Sequence, residues 1–257
     1  MKLMGQNIGS MYLWAIALLI LVVGSASYAS AQFPLPLVLA VAVAVAIDAF
    51  IERMYLRRAL RFPVSAVITG LIIGSVAPLN APLPLVLFAV IIALMSKHFI
   101  KTKRGNVFNP AAFGLLIALF LFSVGDDWWA AANFNVLGLA LTITPILAIA
   151  AYKAHRLTAS VSFVAAAFVM AILLSHSVPS PQSLVVSLLG INFFFAFIMV
   201  AEPKTSPHDK RLQAAFGAGI AVVYMLLASY GVTYSILLAL LVGNLAYAAY
   251  RSGWRPS

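Results

Sequence analysis

Apolar runs of about 17–25 residues recur along the whole chain, and a helix needs this length to cross the hydrocarbon core of a bilayer. Of the 257 residues, 64% are hydrophobic and 9% are charged. A typical soluble domain carries roughly 25% charged residues. The runs leave no room for a sizeable soluble domain, so the pattern predicts an all-α polytopic membrane protein with a single transmembrane domain.

The apolar runs predict about ten transmembrane helices. Their approximate bounds are 11–30, 35–52, 63–78, 84–100, 109–124, 136–152, 157–174, 183–201, 212–229 and 232–250. The first run, followed by small residues at 25–32, also resembles a cleavable signal peptide, whose removal would leave nine helices. The charge pattern is compatible with both interpretations, and we expect an uncleaved first helix.

The basic residues predict the orientation of the helices. All 16 Lys and Arg fall on one side of a ten-helix alternation, and the other side carries Asp126, Asp127 and the Trp128–Trp129 pair. The positive-inside rule then places both termini in the cytoplasm. Anionic headgroups of the membrane lipid account for the net charge of +10, so we expect no nucleic acid partner.

Two polar stretches repeat one pattern. "KTKRGNVFNPAAFG" (101–114) and "KTSPHDKRLQAAFG" (204–217) share Lys-Thr, eight residues and Ala-Ala-Phe-Gly. Two further matches, at 75–82 with 177–181 and at 147–153 with 245–251, keep the same order. The pattern predicts an internal duplication of helices three to six (63–156) and seven to ten (157–257), after two N-terminal helices (1–62). The alternative is chance similarity between Ala-rich helices.

The repeat also predicts how the halves are related. An offset of four helices preserves orientation and implies an axis along the membrane normal, whereas one re-entrant polar loop would make the halves inverted.

Each repeated stretch breaks the helical pattern and leads into a helix start rich in small residues. Asn109 is placed to cap a helix whose first residue is Pro110. Free amides at such an N-terminus favour an anionic or carbonyl-bearing group. Two such breaks predict a binding site between the halves; the alternative is a pair of basic loops that only anchor the topology.

Few other residues suggest an ion-binding, cofactor-binding or catalytic site. Asp48 lies one turn inside the basic face, where it could bind a proton or sodium ion, but an ion pair with Arg53, Arg57 or Arg58 is favoured. The chain has no Cys, so it cannot itself hold a thiolate-ligated iron–sulfur cluster. The positions of its four His argue against a bis-His haem, and no metal site or catalytic residue is predicted.

Three motifs resemble the RnfD/NqrB family, the flavin-bearing membrane subunits of Rnf and sodium-pumping NADH:quinone reductase complexes. They are "GNVFNPAAFGLL" (105–116), "FFFAFIMVAEPKTSP" (193–207) and "YGVTYSILLALLVGN" (230–244). They follow the family's order within residues 60–255 and are closest to small RnfD-like members. The resemblance implies electron transport through flavins held among membrane helices, possibly coupled to ion transport, with a redox partner protein or other subunits.

One family motif is missing. Members with covalent FMN carry (Ser/Thr)-Gly-Ala-Thr, and this chain has no Gly-Ala-Thr; the corresponding place reads "SLLGINFFF" (187–195). We therefore expect FMN or riboflavin to be bound noncovalently. Alternatives are a channel or transporter for a small solute or a flavin, and a cofactor-free scaffold for a redox partner.

The candidate cofactor-binding residues lie in the two repeated stretches. They are Lys101, Asn106, Asn109, Pro110, Phe113, Glu202, Lys204, Thr205 and Ser206. Amides and hydroxyls can bond the carbonyl and imide edge of an isoalloxazine, and Phe108, Phe113 and Phe193–Phe195 offer apolar surfaces. Lys101 or Lys204 would stabilise a reduced, anionic flavin.

The charge asymmetry gives a testable topology. Single cysteines introduced into this Cys-free chain at Asn80, Ala130, Ser180 or Gly231 should react with a membrane-impermeant maleimide from outside the cell. Cysteines at Arg57, Lys103, Ala154 or His208 should react only after the membrane is opened. Two reversed positions would contradict the topology.

Overall fold

The computed structural model describes residues 35–57, 63–102, 105–129, 137–175 and 180–252. The predicted first span and the possible signal peptide lie outside these residues. The described helices are α1 (Leu35–Phe50), α2 (Val64–Val76), α3 (Leu83–Phe99), α4 (Pro110–Phe122), α5 (Leu137–Lys153), α6 (Leu157–Leu174), α7 (Pro181–Leu189), α8 (Lys210–Ser229) and α9 (Ser235–Ser252). Two π-helical segments, Ile51–Tyr55 and Phe195–Met199, follow α1 and α7.

The helices confirm an all-α polytopic membrane fold. Four of them are long and apolar enough to cross a membrane: Leu35–Tyr55 (α1 with its π-helical end), α6, α8 and α9. Helices α2 and α4 are apolar but have 13 residues each. At 1.5 Å per residue they measure roughly 20 Å, which is less than the roughly 30 Å of a hydrocarbon core. If these helices lie within the membrane, non-helical segments at the ends of α2 and α4 must therefore cross the rest of the hydrocarbon core.

The predicted span at 183–201 is wrong as a single helix, because the chain is broken in its middle. Helix α7 begins with a capping box between Ser180 and Ser183 and ends at Gly190. The Asn192 side chain then accepts a hydrogen bond from the Phe195 amide at 2.8 Å, which starts the second π-helical segment. Local capping by Ser180 and Asn192 thus starts two short helical pieces within one apolar run.

The glycine of each repeated motif permits a close approach between two helices. A Cβ on Gly114 of α4 would lie 2.2 Å from the Ala89 carbonyl oxygen of α3. A Cβ on Gly217 of α8 would lie 2.1 Å from the Ala159 carbonyl oxygen of α6. Both distances are far shorter than van der Waals contact, so no other residue fits there without a shift of the helices. Small residues at such contacts are typical of membrane helix pairs.

The neighbours of the two motif helices differ. Helix α4 packs along α3, whereas α8 packs along α6. In the predicted duplication the counterpart of α3 is the run at 183–201, which is broken, and α6 is the counterpart of α2. Helix α8 also begins one turn earlier relative to the motif than α4 does. The shared role of Gly114 and Gly217 is local, and a duplication of the whole halves stays a prediction.

Replacing Gly217 with Ala should destabilise the protein, since the added methyl group overlaps a backbone carbonyl. We expect a loss of about 1–3 kcal/mol, or a lower melting temperature by about 2–4 °C per kcal/mol for a chain of this length. Gly219 on the same helix is the matched control, because a Cβ there meets nothing within 4 Å. Gly219→Ala should be neutral or stabilising by up to about 1 kcal/mol. Equal melting temperatures for both variants in detergent would contradict the close approach.

Candidate functional site

The first repeated stretch forms a hairpin that ends at a capped helix. Strands β1 (Lys101–Thr102) and β2 (Gly105–Asn106) pair antiparallel. Asn109 then caps α4, because its Oδ1 accepts the Ala112 amide at 3.0 Å, and Pro110 occupies the first helical position. The predicted cap is therefore confirmed. Its oxygen satisfies one of the amides that a helix start leaves without a partner.

The second repeated stretch is a tight turn around Glu202. The Glu202 backbone carbonyl accepts the Ser206 amide at 3.1 Å and the Ser206 hydroxyl at 2.6 Å. The Thr205 hydroxyl donates to Glu202 Oε2 at 3.1 Å. The buried guanidinium of Arg156 donates to Ser206 Oγ at 2.9 Å and to the Pro203 carbonyl at 3.2 Å. These bonds fix the backbone of the turn between the π-helical segment and α8.

Helix α9 joins the two stretches through two buried side chains. Asn244 Oδ1 accepts the Asn109 amide at 2.8 Å, and Asn244 Nδ2 lies 3.5 Å from the Thr205 carbonyl. The Arg251 guanidinium donates to the Lys204 carbonyl at 3.0 Å and to the Asn106 carbonyl. Each side chain therefore contacts both stretches, although these lie about 100 residues apart in the chain.

The joined stretches border a small cavity of about 50 Å³. Four of the predicted site residues line it together: Asn109, Pro110, Glu202 and Lys204. Helix α2 supplies the opposite wall, with the hydroxyl groups of Ser65 and Thr69 among apolar side chains. The remaining lining residues are Ile68, Ile72, Ala111, Ile198 and Pro203. A cavity of this size holds one or a few waters, or the edge of a larger group.

The other predicted residues surround this cavity less directly. Lys101 is exposed on β1, and Phe113 is half-buried and stacks on Phe108 with ring centroids 5.1 Å apart. Thr205 and Ser206 are buried and hold the turn rather than line the cavity. Asn106 is buried as well, and its side-chain amide nitrogen has no hydrogen-bond partner among the residues that the structure describes.

The aromatic run before the second stretch lies elsewhere. Phe194 and Phe195 are buried and contact the ring of Trp128, which follows the far end of α4. The prediction that Phe193–Phe195 line the flavin site is therefore not supported for Phe194 and Phe195. Their rings fill the core at the opposite end of α4 from Asn109.

Asp48 has different partners from those expected. Its Oδ1 lies 2.8 Å from Lys97 Nζ and 2.8 Å from His98 Nε2, both near the end of α3. The favoured pairing with Arg53 or Arg57 is wrong, because Asp48 faces α3, whereas those arginines are exposed. Arg58 lies outside the described residues. All three members of the Asp48–Lys97–His98 cluster are largely buried.

The cavity and this cluster are electrostatically coupled. Glu202 lies in a turn outside the four spanning helices, and burial raises the pKa of its carboxyl group to about 7, although Lys204, Thr205 and Lys97 oppose the shift. Burial also lowers the pKa of Lys204, and the positive charge of Lys97 lowers it further. The carboxylates of Glu202, Asp48 and Glu52 act in the opposite direction on Lys204.

Several residues of the site were not predicted from the sequence. They are Ser65, Thr69, Arg156, Asn244 and Arg251. A signal existed for Asn244, which is a polar residue inside an apolar run, where a polar group needs a partner in the protein. From the sequence, Arg251 and Arg156 could not be told apart from the basic residues that set the membrane orientation, because every basic residue lies on the same side of the predicted helices.

Comparison with known families identifies the chain. No curated protein sequence matches it, whereas the model of the NQR2, RnfD, RnfE family matches residues 6–154, more than half of the chain. The match includes the hairpin and Asn109, and the motifs at 193–207 and 230–244 lie beyond it. Members of this family are membrane subunits of multi-subunit, redox-driven ion-translocating complexes. The chain therefore belongs to the NQR2, RnfD, RnfE family.

Proposed function

We propose that this membrane subunit passes electrons through a noncovalently bound flavin held where the two repeated stretches meet. One observation carries the proposal: Asn244 and Arg251 bring both stretches to a single cavity lined by Asn109, Glu202 and Lys204. The amide, the carboxyl group and the ammonium group are suited to the carbonyl and imide edge of a flavin. Family membership supports the redox role.

The size of the cavity limits how a flavin could bind. Pockets that enclose a cofactor measure about 300–1,000 Å³, whereas this cavity measures about 50 Å³. The residues present fit the polar edge of the ring system and do not enclose its three rings. The rings would lie against the outer side of the stretches, where Lys101 is exposed and Phe108 and Phe113 are half-buried.

The chemistry divides between the cofactor and the chain. A flavin supplies one- and two-electron transfer when bound. Lys204 and Lys101 would favour its reduced, anionic form through charge, and Asn109 would orient its polar edge. The absence of Gly-Ala-Thr leaves no site of the family's covalent type.

The subunit would work beside other proteins in a plasma membrane of prokaryotic type. Because the chain has no Cys, any iron–sulfur cluster on the electron path would belong to another subunit. The basic face, with both termini on the cytoplasmic side, would meet the anionic lipid headgroups.

A second candidate function is conduction of a small solute. The short helices α2 and α4 and the break after α7 resemble the discontinuous helices that build transport sites at membrane depth. Solute flux into liposomes by protein free of flavin would favour this function. Flavin-dependent electron transfer without solute flux would favour the redox function.

Protein purified in mild detergent should carry flavin or bind added riboflavin or FMN, with quenching of the flavin fluorescence. Acid denaturation should release all of it, because no covalent bond is expected. Flavin that remains on the denatured chain would contradict noncovalent binding. Failure to bind either flavin would contradict the proposed function.

Arg251→Lys should weaken flavin binding about tenfold, since a lysine cannot reproduce the two-carbonyl contact and one lost hydrogen bond to a charged group is worth about 1.5–3 kcal/mol. Hydrogen exchange should increase in both stretches, around residues 105–109 and 202–206. Arg211→Lys is the matched control, because Arg211 is exposed on α8. Equal hydrogen exchange and equal flavin affinity in the two variants would show that the hydrogen bonds of Arg251 do not organise the site.

A further inference from the structure

Glu202 lines the cavity, and its carboxyl group has little hydrogen-bonding support. It lines the cavity with Asn109 and Lys204, and among the described residues its side chain accepts one hydrogen bond, from the Thr205 hydroxyl at 3.1 Å. An ionised carboxylate has about four acceptor positions, and a single neutral donor leaves most of them unused. Hydrogen bonds therefore stabilise the ionised form only weakly, and the groups that favour it most are the positive charges of Lys204 and Lys97.

The backbone around Glu202 is nevertheless held rigidly. Its carbonyl oxygen accepts bonds from Thr205, at 3.3 Å, and from the amide and hydroxyl groups of Ser206. The π-helical segment Phe195–Met199 ends three residues earlier, and such segments are frequent at functional sites. The carboxyl group thus sits on a fixed support beside a cavity of water size.

Charged groups from other parts of the chain act on Glu202 or on the neighbouring Lys204. Lys97 acts on Glu202 from α3, and Lys204 acts on it from the same turn. Asp48 of α1 holds Lys97 and His98 at 2.8 Å each, and Asp48 and Glu52 act on Lys204. Helix α2 and the start of α4 contribute the uncharged groups of Ser65, Thr69 and Asn109, and Arg251 from α9 bonds the Lys204 carbonyl.

We propose that Glu202 is a proton-exchanging site, whose carboxylate takes up a proton from water in the cavity and releases it again. The step makes and breaks one O–H bond and needs no other reactant. The Asp48–Lys97–His98 cluster acts as a positioning group, because it fixes the charge that the proton at Glu202 experiences. A link between this proton and electron transfer rests on the proposed function, whereas the proton site itself does not.

The pKa of about 7 agrees with this geometry. Below that pH the carboxyl group is neutral and the charge of Lys204 is opposed by Asp48 and Glu52. Above pH 7 Glu202 is ionised, and its negative charge directly compensates the positive charge of Lys204. The site therefore changes by one unit of charge within the physiological pH range.

Infrared difference spectroscopy of the detergent-solubilised full chain between pH 5 and pH 9 would test the site directly. The wild type should show the C=O band of one protonated carboxyl group that disappears with a midpoint near pH 7. Glu202→Gln should lack this band, and Asp127→Asn, at an exposed carboxylate beside Trp128, should retain it. In Asp48→Asn the band should remain but its midpoint should fall, since an anion near Lys204 has been removed.

A wild-type band that persists in Glu202→Gln would overturn the proton site. So would a nearly complete loss of the band already at pH 5, which a carboxyl group with the ordinary Glu pKa of about 4.3 would show. If Glu202→Gln does not fold, ¹³C-labelled glutamate in the Glu52→Gln variant gives the same answer, because Glu202 is then the only glutamate in the sequence and the band must shift with the label. An unshifted band would assign the proton to another residue type and overturn the site.

A second measurement separates this inference from the proposed function. If flavin binds, the pH dependence of its midpoint potential should change slope near pH 7 in the wild type and not in Glu202→Gln. An infrared band without flavin binding would leave the proton site and remove the redox function. Flavin binding without the infrared band would leave the redox function and overturn the proton site.

Discussion

The hydrogen bonds from α9 to two non-helical stretches are the interaction on which the site depends. A backbone that leaves the helical conformation near a membrane must find partners for its amides and carbonyls within the protein. Asn244 and Arg251 supply these partners to Asn109, Thr205, Lys204 and Asn106. The planar guanidinium can bind two carbonyls at once, so a single side chain connects stretches that are distant in sequence.

The short helices explain why a cavity exists at this place. Helices α2 and α4 have 13 residues each, and the second stretch follows a π-helical segment rather than a full spanning helix. The polar ends of these elements therefore meet below the surface instead of in solvent. The glycine contact of α4 with α3 brings α4 close to the helix that carries Lys97 and His98. Close packing thus places a charged cluster where Lys97 acts on Glu202 and Lys204.

Only part of the site lies within the residues that match the family model. The matched region, residues 6–154, contributes Asn109, Pro110 and the Asp48–Lys97–His98 cluster. Glu202, Lys204, Asn244 and Arg251 come from the part of the chain that follows the matched region. Each part alone presents basic loops and apolar helices of an ordinary kind, and the cavity forms only where the two parts meet.

The sequence by itself determined the membrane class, most helix bounds, the Asn109 cap and the membership of the family, because apolar run length, capping chemistry and local motifs are properties of short segments. It also pointed to Asn109, Pro110, Glu202 and Lys204 as members of one site. The tertiary structure decided the break between α7 and the π-helical segment, the partners of Asp48 and the roles of Arg156 and Arg251. A salt bridge or a carbonyl contact depends on which helix faces which, and that choice follows from packing contacts such as those of Gly114 and Gly217, which involve residues far apart in the chain.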